Sequence, residues 1–233
     1  MIVFLILSQM QLQLTGSAGF RFSVPSEWSF YQRDADRCVA SGPIWGLGGL
    51  VRSGQFGVGM NFLTAGYESI EVHDDETGDV QEIEDVDVAR TDFTIEGRVY
   101  PSDEFYLGFL FNHHSEEWAA QIIWPFKERH WGNSFGLVIG YEMAPRHTGL
   151  VPFMQGSLAY TTATRRIKWG HAEDTDDGQG ARFAGEIGLA YYYKPIYLNL
   201  GFMGQGFVAE FGDDTATSHS NLWGLFFGAG AYF

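Results

Sequence analysis

The side chains best suited to chemistry in this sequence are its seven histidines and 29 acidic residues. Only His147 lies near a short connection; the other six lie near long polar segments. These six are His73, His113, His114, His130, His171 and His219. A histidine beside carboxylates can act as a general acid or base, or bind a metal ion. The long polar segments are therefore where catalysis or metal binding would be sought.

Candidate metal ligands occur in two of these segments. Asp174, Asp176 and Asp177 belong to a run, Asp-Thr-Asp-Asp-Gly, that partly matches a calcium-binding loop. The run lacks one residue of the usual spacing and a closing Glu. Residues 73–88 contain eight acidic residues and neither Lys nor Arg. Such a run is typical of a solvated loop, but its carboxylates also suit Ca²⁺, which is the one cofactor that the sequence suggests.

Composition excludes several classes of protein. The net charge of −15 and the total of 14 Lys and Arg argue against nucleic acid binding, which requires clustered cations. The single cysteine, Cys38, excludes an intramolecular disulfide. A helical membrane protein would contain runs of about 20 apolar residues, and none is present. The chain is instead rich in aromatic residues and in Gly, with 20 Phe, 11 Tyr, 7 Trp and 30 Gly.

The elements that must position these side chains are β-strands. In the last segment, every second residue from Trp223 to Phe233 is aromatic, Leu or Ala, and the same period of two recurs along the chain. The pattern predicts ten strands. They are 19–31, 44–52, 55–72, 89–100, 104–114, 133–143, 150–168, 181–193, 196–211 and 221–233. Pro25 interrupts the first strand and favours an edge or a bulge there, so a count of eight strands remains open.

The connections between these strands alternate between short and long. The short ones are 53–54, 101–103, 144–149 and 194–195, and the long ones are 32–43, 73–88, 115–132, 169–180 and 212–220. Strict alternation places all the short turns at one end of the sheet and all the long loops at the other. This is typical of a closed, antiparallel, up-and-down transmembrane β-barrel.

The C-terminal pair Tyr232-Phe233, together with the apolar alternation before it, resembles the outer-membrane β-barrel superfamily over residues 19–233. No individual family is indicated. The resemblance implies a bacterial-type outer membrane, both termini in the periplasm and the long loops outside, in contact with lipid and lipopolysaccharide. It also implies that the barrel assembly machinery reads Tyr232 and Phe233. Closure leaves no free sheet edge, so a monomer is expected.

Residues 1–18 carry no charge. An apolar run at 1–7 and small residues up to Ala18 predict an export signal that is cleaved there. The positively charged start of such a signal is missing, so the alternative is an N-terminal extension that forms an additional strand or a plug segment.

The polar residues that alternate with the apolar ones predict a charged lumen. The candidate lining residues are Asn61, Glu96, Arg98, Asn112, His114, Glu142, Gln155, Arg182, Glu186 and Asn199. In a narrow barrel such side chains can fill the interior as a paired network. The alternative is a thin hydrated channel for small solutes, with selectivity set by these charges.

An enzyme is the minority interpretation. Lipid A deacylases of the outer membrane use a His-x-Ser pair, and His113-His114-Ser115 is similar, which makes His114 and Ser115 weak catalytic candidates. Omptin proteases use Asp-Asp and Asp-His pairs at the barrel mouth, and Asp74-Asp75 and His171 with Asp174 look superficially similar. Adjacent residues of a strand face opposite ways, however, which argues against Asp74-Asp75. We therefore expect a non-enzymatic barrel.

Overall fold

A computed structural model describes residues 14–31, 37–41, 43–73, 77–121, 125–142, 148–193, 195–212 and 216–232. These residues form eleven β-strands of a single antiparallel sheet. The strands are β1 (Leu14–Tyr31), β2 (Arg37–Ser41), β3 (Ile44–Ser53), β4 (Phe56–His73), β5 (Val80–Val99), β6 (Phe105–Gln121), β7 (Pro125–Glu142), β8 (Gly149–Trp169), β9 (Ala172–Tyr193), β10 (Ile196–Phe211) and β11 (Ala216–Tyr232). Within these ranges, no helix is long and apolar enough to cross a membrane.

The sheet closes on itself because β1 pairs with β11. Phe22 lies opposite Phe227, and Ala18 lies opposite Ala231. The short β2 and β3 both pair with β1 and with β4, so together they make one strand of the wall in two pieces. The ring therefore has ten strands. This confirms the predicted closed barrel, and the alternative of eight strands is wrong.

The break between β2 and β3 coincides with a bulge in the neighbouring strand. β1 pairs with β3 as far as Ser23 opposite Ile44, and with β2 from Glu27 opposite Ser41. The register of β1 against β11 shifts between Ser23 and Ser26, on either side of Pro25. Proline has no N–H to donate to the ladder, so the predicted interruption at Pro25 is a bulge within a continuous strand.

Most of the strands are longer than the sequence predicted. Four of the five long polar connections consist largely of paired strand; for example, β8 and β9 are joined by Gly170 and His171 alone. Gly170 has a φ of 58°, as tight two-residue hairpins require. β1 also begins at Leu14, so the boundary predicted after Ala18 falls inside a strand. Residues 1–13 lie outside the described ranges.

An apolar belt surrounds the end of the barrel that carries the short turns. On β9 it runs from Phe183 to Tyr193, which matches the 9–11 residues or so that a tilted transmembrane strand needs. Beyond the belt the strands continue, and their outward side chains become polar and charged. The belt includes Leu47, Val58, Met60, Phe109, Phe135, Leu137, Leu158, Ile187, Leu198, Leu200, Leu225 and Phe227, which are all exposed.

Candidate functional site: the closed lumen

The lumen near the short turns is organised around Arg98 on β5. Its guanidinium bonds to the Glu96 carboxylate at 2.8 Å and to that of Glu142 at 3.1 Å, and its Cζ atom lies 4.2 Å from the centre of the Tyr106 ring. Gln155 joins the same group, because its amide nitrogen donates to Glu96 at 3.0 Å while the Tyr106 hydroxyl donates to its oxygen at 2.6 Å. These bonds link four neighbouring strands, from β5 to β8.

Tyr100, which directly follows β5, also belongs to this group. Its hydroxyl donates to Glu142 at 2.6 Å. Burial, reinforced by the charge of Glu142, raises the pKa of Tyr100, so the hydroxyl keeps its proton and remains a donor.

A second network crosses the lumen at mid-height. It consists of Arg90, Asp92, Glu116, Arg182, Gln205 and Ser220, and we call it the cross-lumen layer. Arg182 donates to the Gln205 oxygen at 2.9 Å, and Gln205 donates to Asp92 at 3.1 Å. Arg90 bonds to Asp92 at 2.9 Å and to Glu116 at 2.7 Å. Two cations therefore balance two anions.

The cross-lumen layer joins opposite walls of the barrel. Gln205 on β10 and Asp92 on β5 are five strands apart in either direction around the ring of ten. Glu116 on β6 and Ser220 on β11, which bond at 2.7 Å, are also five strands apart. All six residues are buried. At this height the side chains fill the lumen from one wall to the other.

Small cavities lie between the cross-lumen layer and the short turns. One of about 160 Å³ is lined by Glu96, Arg98, Glu186 and Asn199, and another of about 40 Å³ lies next to Arg182 and Gln205. The larger cavity has room for only a few water molecules.

Toward the other end of the barrel, the interior becomes mainly apolar. Ala163, Phe207, Ala209 and Phe211 form one buried cluster there. The rings of Phe207 and His114 are 4.5 Å apart, from opposite sides of the lumen. Another apolar cluster lines β2 to β5, β10 and β11 and extends from this end down to the height of the belt. It contains Ala40, Ile44, Leu63, Ala65, Tyr67, Ile70, Val86, Val88, Met203, Leu222 and Phe226.

One polar group lies within this apolar end. His130 is hydrogen-bonded to Glu128 on the same strand, and both side chains are buried. Arg165 on β8 lies 3.8 Å from Glu128 and also contacts the ring of Phe211. Histidine and carboxylate together can shuttle a proton. His73 and Glu71 on β4 form another such pair at 3.2 Å, but that pair is exposed, whereas His130 and Glu128 are buried.

The structure places all ten predicted lining residues on the inner face. Glu96, Arg98, Glu142 and Gln155 meet in one network, and Asn61, Glu186 and Asn199 line the larger cavity. Asn112 donates to Thr94, and Arg182 belongs to the cross-lumen layer.

Sequence reasoning missed the rest of the cross-lumen layer. Arg90 and Asp92 are an even number of residues away from Glu96 and Arg98, and Gln205 is an even number of residues away from Asn199. Strand alternation therefore predicts that all three face the lumen. The sequence pattern places Glu116 and Ser220 in loops, where alternation does not assign a residue to the inner or the outer face.

The catalytic candidates His114 and Ser115 do not form a pair. His114 faces the lumen and is buried, while Ser115 lies on the outer face and accepts a hydrogen bond from Arg129. Consecutive strand residues point to opposite faces, so this prediction was wrong. Asp74 and Asp75 lie outside the described residues.

The residues of the predicted calcium-binding loop do not form a loop. Asp174, Asp176 and Asp177 belong to the regular strand β9, which places Asp177 on the face opposite the other two. No cluster of three metal-binding side chains occurs among the described residues.

At the C-terminus, Tyr232 is the last residue of β11, and Phe233 lies outside the described ranges.

No family model matches this sequence, and no curated protein matches it. Among solved structures, the outer-membrane protease OmpT from Escherichia coli has a TM-score of 0.65 at 8% identity, covering 96% of this chain and 98% of that one. The translocator domain of autotransporter NalP from Neisseria meningitidis has a TM-score of 0.45 at 13% identity, covering 100% of this chain and 92% of that one. Ail from Yersinia pestis has a TM-score of 0.42 at 7% identity, covering 94% and 98%.

At sequence identities this low, structural similarity supports a statement about the fold but none about activity. Three observations indicate the same fold. The sheet has ten paired strand positions, β1 pairs with β11 to close it, and the likeness to OmpT covers nearly the whole of both chains. The chain has the fold of the outer-membrane β-barrel superfamily.

Proposed function

We propose that this chain is a non-enzymatic integral protein of an outer membrane, with a closed lumen and a structural or surface-exposed role. The observation that carries the proposal is the cross-lumen layer. Its hydrogen bonds join strands on opposite sides of the ring, and its charges are paired. The two bonds between opposite walls both end on carboxylates, and a hydrogen bond to a charged group contributes about 1.5–3 kcal/mol, so thermal motion alone seldom opens both. A narrow solute channel is therefore the less favoured role.

Conductance across a planar lipid bilayer tests the closed lumen. The native protein should give no steady current. The double variant D92A/Q205A removes the bond between opposite walls and should give current or frequent openings. The matched control N133A/T162A lies on the outer face and should stay silent. Correct folding of each variant is checked by its heat-dependent migration in detergent gels. Steady conductance by the native protein would overturn the proposal.

The proposed orientation places the short turns in the periplasm and the opposite rim outside the cell. The apolar belt lies beside the short turns, and the strands extend beyond it at the other end only, as outer-membrane barrels are built. An epitope inserted between Gly170 and His171 should be labelled on intact cells. An epitope between Gly54 and Gln55 should be labelled only after the membrane is permeabilised. The reverse result would invert the orientation.

A hydrolase acting at the barrel mouth is the second candidate, and the buried pair of His130 and Glu128 favours it. In that role Glu128 would orient His130 as a general base. Cleavage of peptides and of lipid A by the purified protein tests this idea. Activity that disappears in H130A but persists in H113A would establish the hydrolase and refute our main proposal. If no cleavage is detected, the hydrolase is refuted.

A further inference from the structure

The outer wall carries a compact group of cations in a strongly acidic chain. Lys127 and Arg129 on β7 and Arg166 and Lys168 on β8 are all exposed, and we call these four residues the basic patch. The whole chain has only 14 Lys and Arg and a net charge of −15. The other cations whose side chains the structure describes lie on the inner face; they are Arg52, Arg90, Arg98, Arg165 and Arg182. Every described cation of the outer face therefore belongs to the patch.

The strand register within the basic patch places like charges next to each other, which destabilises the barrel wall. Lys127 lies directly opposite Lys168, and Arg129 lies directly opposite Arg166. Like charges at opposed positions of neighbouring strands repel each other. Such an arrangement needs compensation from elsewhere, either from neighbouring carboxylates or from a bound anion.

Neighbouring carboxylates compensate only part of this charge. Glu117 is 2.6 Å from Lys127, and Glu173 pairs with Arg166. Among the described residues, Arg129 donates only to the Ser115 hydroxyl, at 3.3 Å, and Lys168 has no ion-pair partner, although they lie opposite Glu117 and Glu173 in the register. The nearby Asp177 also faces outward and accepts a hydrogen bond from Thr164. Four cations against these three carboxylates leave one net positive charge that faces outward.

The height of the patch on the barrel indicates what neutralises it. Below it on β7 lies Trp131, whose ring is 5.5 Å from the guanidinium of Arg129, and below that come the belt residues Phe135 and Leu137. Tryptophan marks the boundary between hydrocarbon and headgroups. A strand advances about 3.3 Å per residue and is tilted by about 45°, so Arg129 lies ~5 Å above Trp131, at headgroup height.

We propose that the basic patch binds the phosphate groups of a bilayer lipid with a phosphorylated sugar headgroup, the lipid A part of lipopolysaccharide. The two guanidiniums can each chelate phosphate oxygens, and the two lysines add point charges. Trp131 and the belt beneath it would contact the acyl chains, which a free phosphate ion does not have. The patch would also offset the repulsion between an anionic lipid surface and the exposed acidic residues of the same end, which include Glu82, Asp87 and Glu173. The inference rests on the proposed membrane location.

The test uses the full-length protein, folded in detergent and reconstituted into phosphatidylcholine vesicles that contain labelled bisphosphorylated lipid A. The affinity should fall at least tenfold in R129Q/R166Q. It should rise a few-fold in E117Q/E173Q, which removes the flanking carboxylates. R52Q, at the other end of the barrel, is the control for loss of a positive charge and should bind as the native protein does. All these variants keep a polar side chain, and heat-dependent migration checks their folding.

Three results would overturn the proposal. They are native affinity in R129Q/R166Q, equal binding of lipid A without phosphate groups, and displacement by millimolar inorganic phosphate, which would identify a site for free anions. If the proposed membrane location is wrong, the outcome differs from these three, because the chain would then not insert into vesicles of any composition. If it inserts normally and the variants bind lipid A as the native protein does, the patch proposal alone fails.

Discussion

The two halves of this barrel place apolar and polar side chains on opposite faces of one continuous wall. In the half with the short turns, Leu137 and Phe109 point outward, while Glu96 and Arg98 are paired inside. In the other half, which we call the protruding half because it extends beyond the belt, the outer face is polar. Arg129, Glu173 and Asp177 face outward there, and apolar side chains of two clusters pack inside. The larger cluster also reaches Met203 and Phe226 at belt height, and a third one around Tyr106 and Leu110 lies inside the belt half, so the inner faces differ less than the outer faces.

The difference shows that the surroundings, and not the strand, decide which face is apolar. Backbone pairing is the same in both halves and continues without interruption along β6, β7, β8 and β9. A bilayer favours an apolar outer face, and the polar residues are then left inside, where they must pair with each other. Beyond the bilayer, water imposes the ordinary arrangement of a soluble protein.

The largest effect is expected for a change inside the protruding half. Phe207 is 2% exposed and packs against His114, so F207A should leave a cavity and lower the free energy of unfolding by about 3–5 kcal/mol. Phe109 is 75% exposed on the belt, where lipid can fill the space it leaves, so F109A should cost much less. Urea unfolding in lipid vesicles measures both values. Equal losses would contradict the proposed contrast between the halves.

A charge placed on the outer face should show the next largest effect. L137R puts arginine near the middle of the belt and should cost about 2–4 kcal/mol. Q179R puts the same residue on the outer face of the protruding half, opposite Thr162 and Glu210, where it should change stability by no more than about 0.5 kcal/mol. The same unfolding experiment applies. A large loss in Q179R would mean that the belt extends further than the exposed apolar residues indicate.

A smaller effect is expected at a glycine that lies under an aromatic ring. A Cβ on Gly140 would collide with the ring and hydroxyl of Tyr106, which is bonded to Gln155, whereas a Cβ on Gly97 would meet nothing within 4 Å. G140A should therefore cost about 1–3 kcal/mol, and G97A should be nearly neutral. If the two variants are equally stable, the inner network does not depend on the position of Tyr106.

The belt half was largely predictable from the sequence, since apolar and polar residues alternate there. The ten-strand ring, the short turns and the charged lining around Glu96, Arg98 and Gln155 follow from that alternation. The protruding half was assigned to loops because its outer face lies in water and loses the apolar signal. Only a local feature such as Gly170, with its positive φ, marks the hairpin there.

The contacts across the lumen could not be predicted in the same way. Alternation assigns a residue to a face, but it does not specify which residue lies five strands away. The bond from Gln205 to Asp92 depends on the curvature and closure of the whole ring. The basic patch has the same origin, because its charges become neighbours only through the register that places Arg129 opposite Arg166.

Membrane depth along β9 tests the contrast between the halves most directly. Single cysteines on the outer face, introduced at positions 175, 179, 183, 187 and 191 after Cys38 is replaced by Ser, would carry spin labels in vesicles. We expect collisions with oxygen to dominate at positions 183, 187 and 191, and collisions with a water-soluble nickel complex to dominate at 175 and 179. Uniform access for the nickel complex along the strand would contradict the membrane-embedded belt.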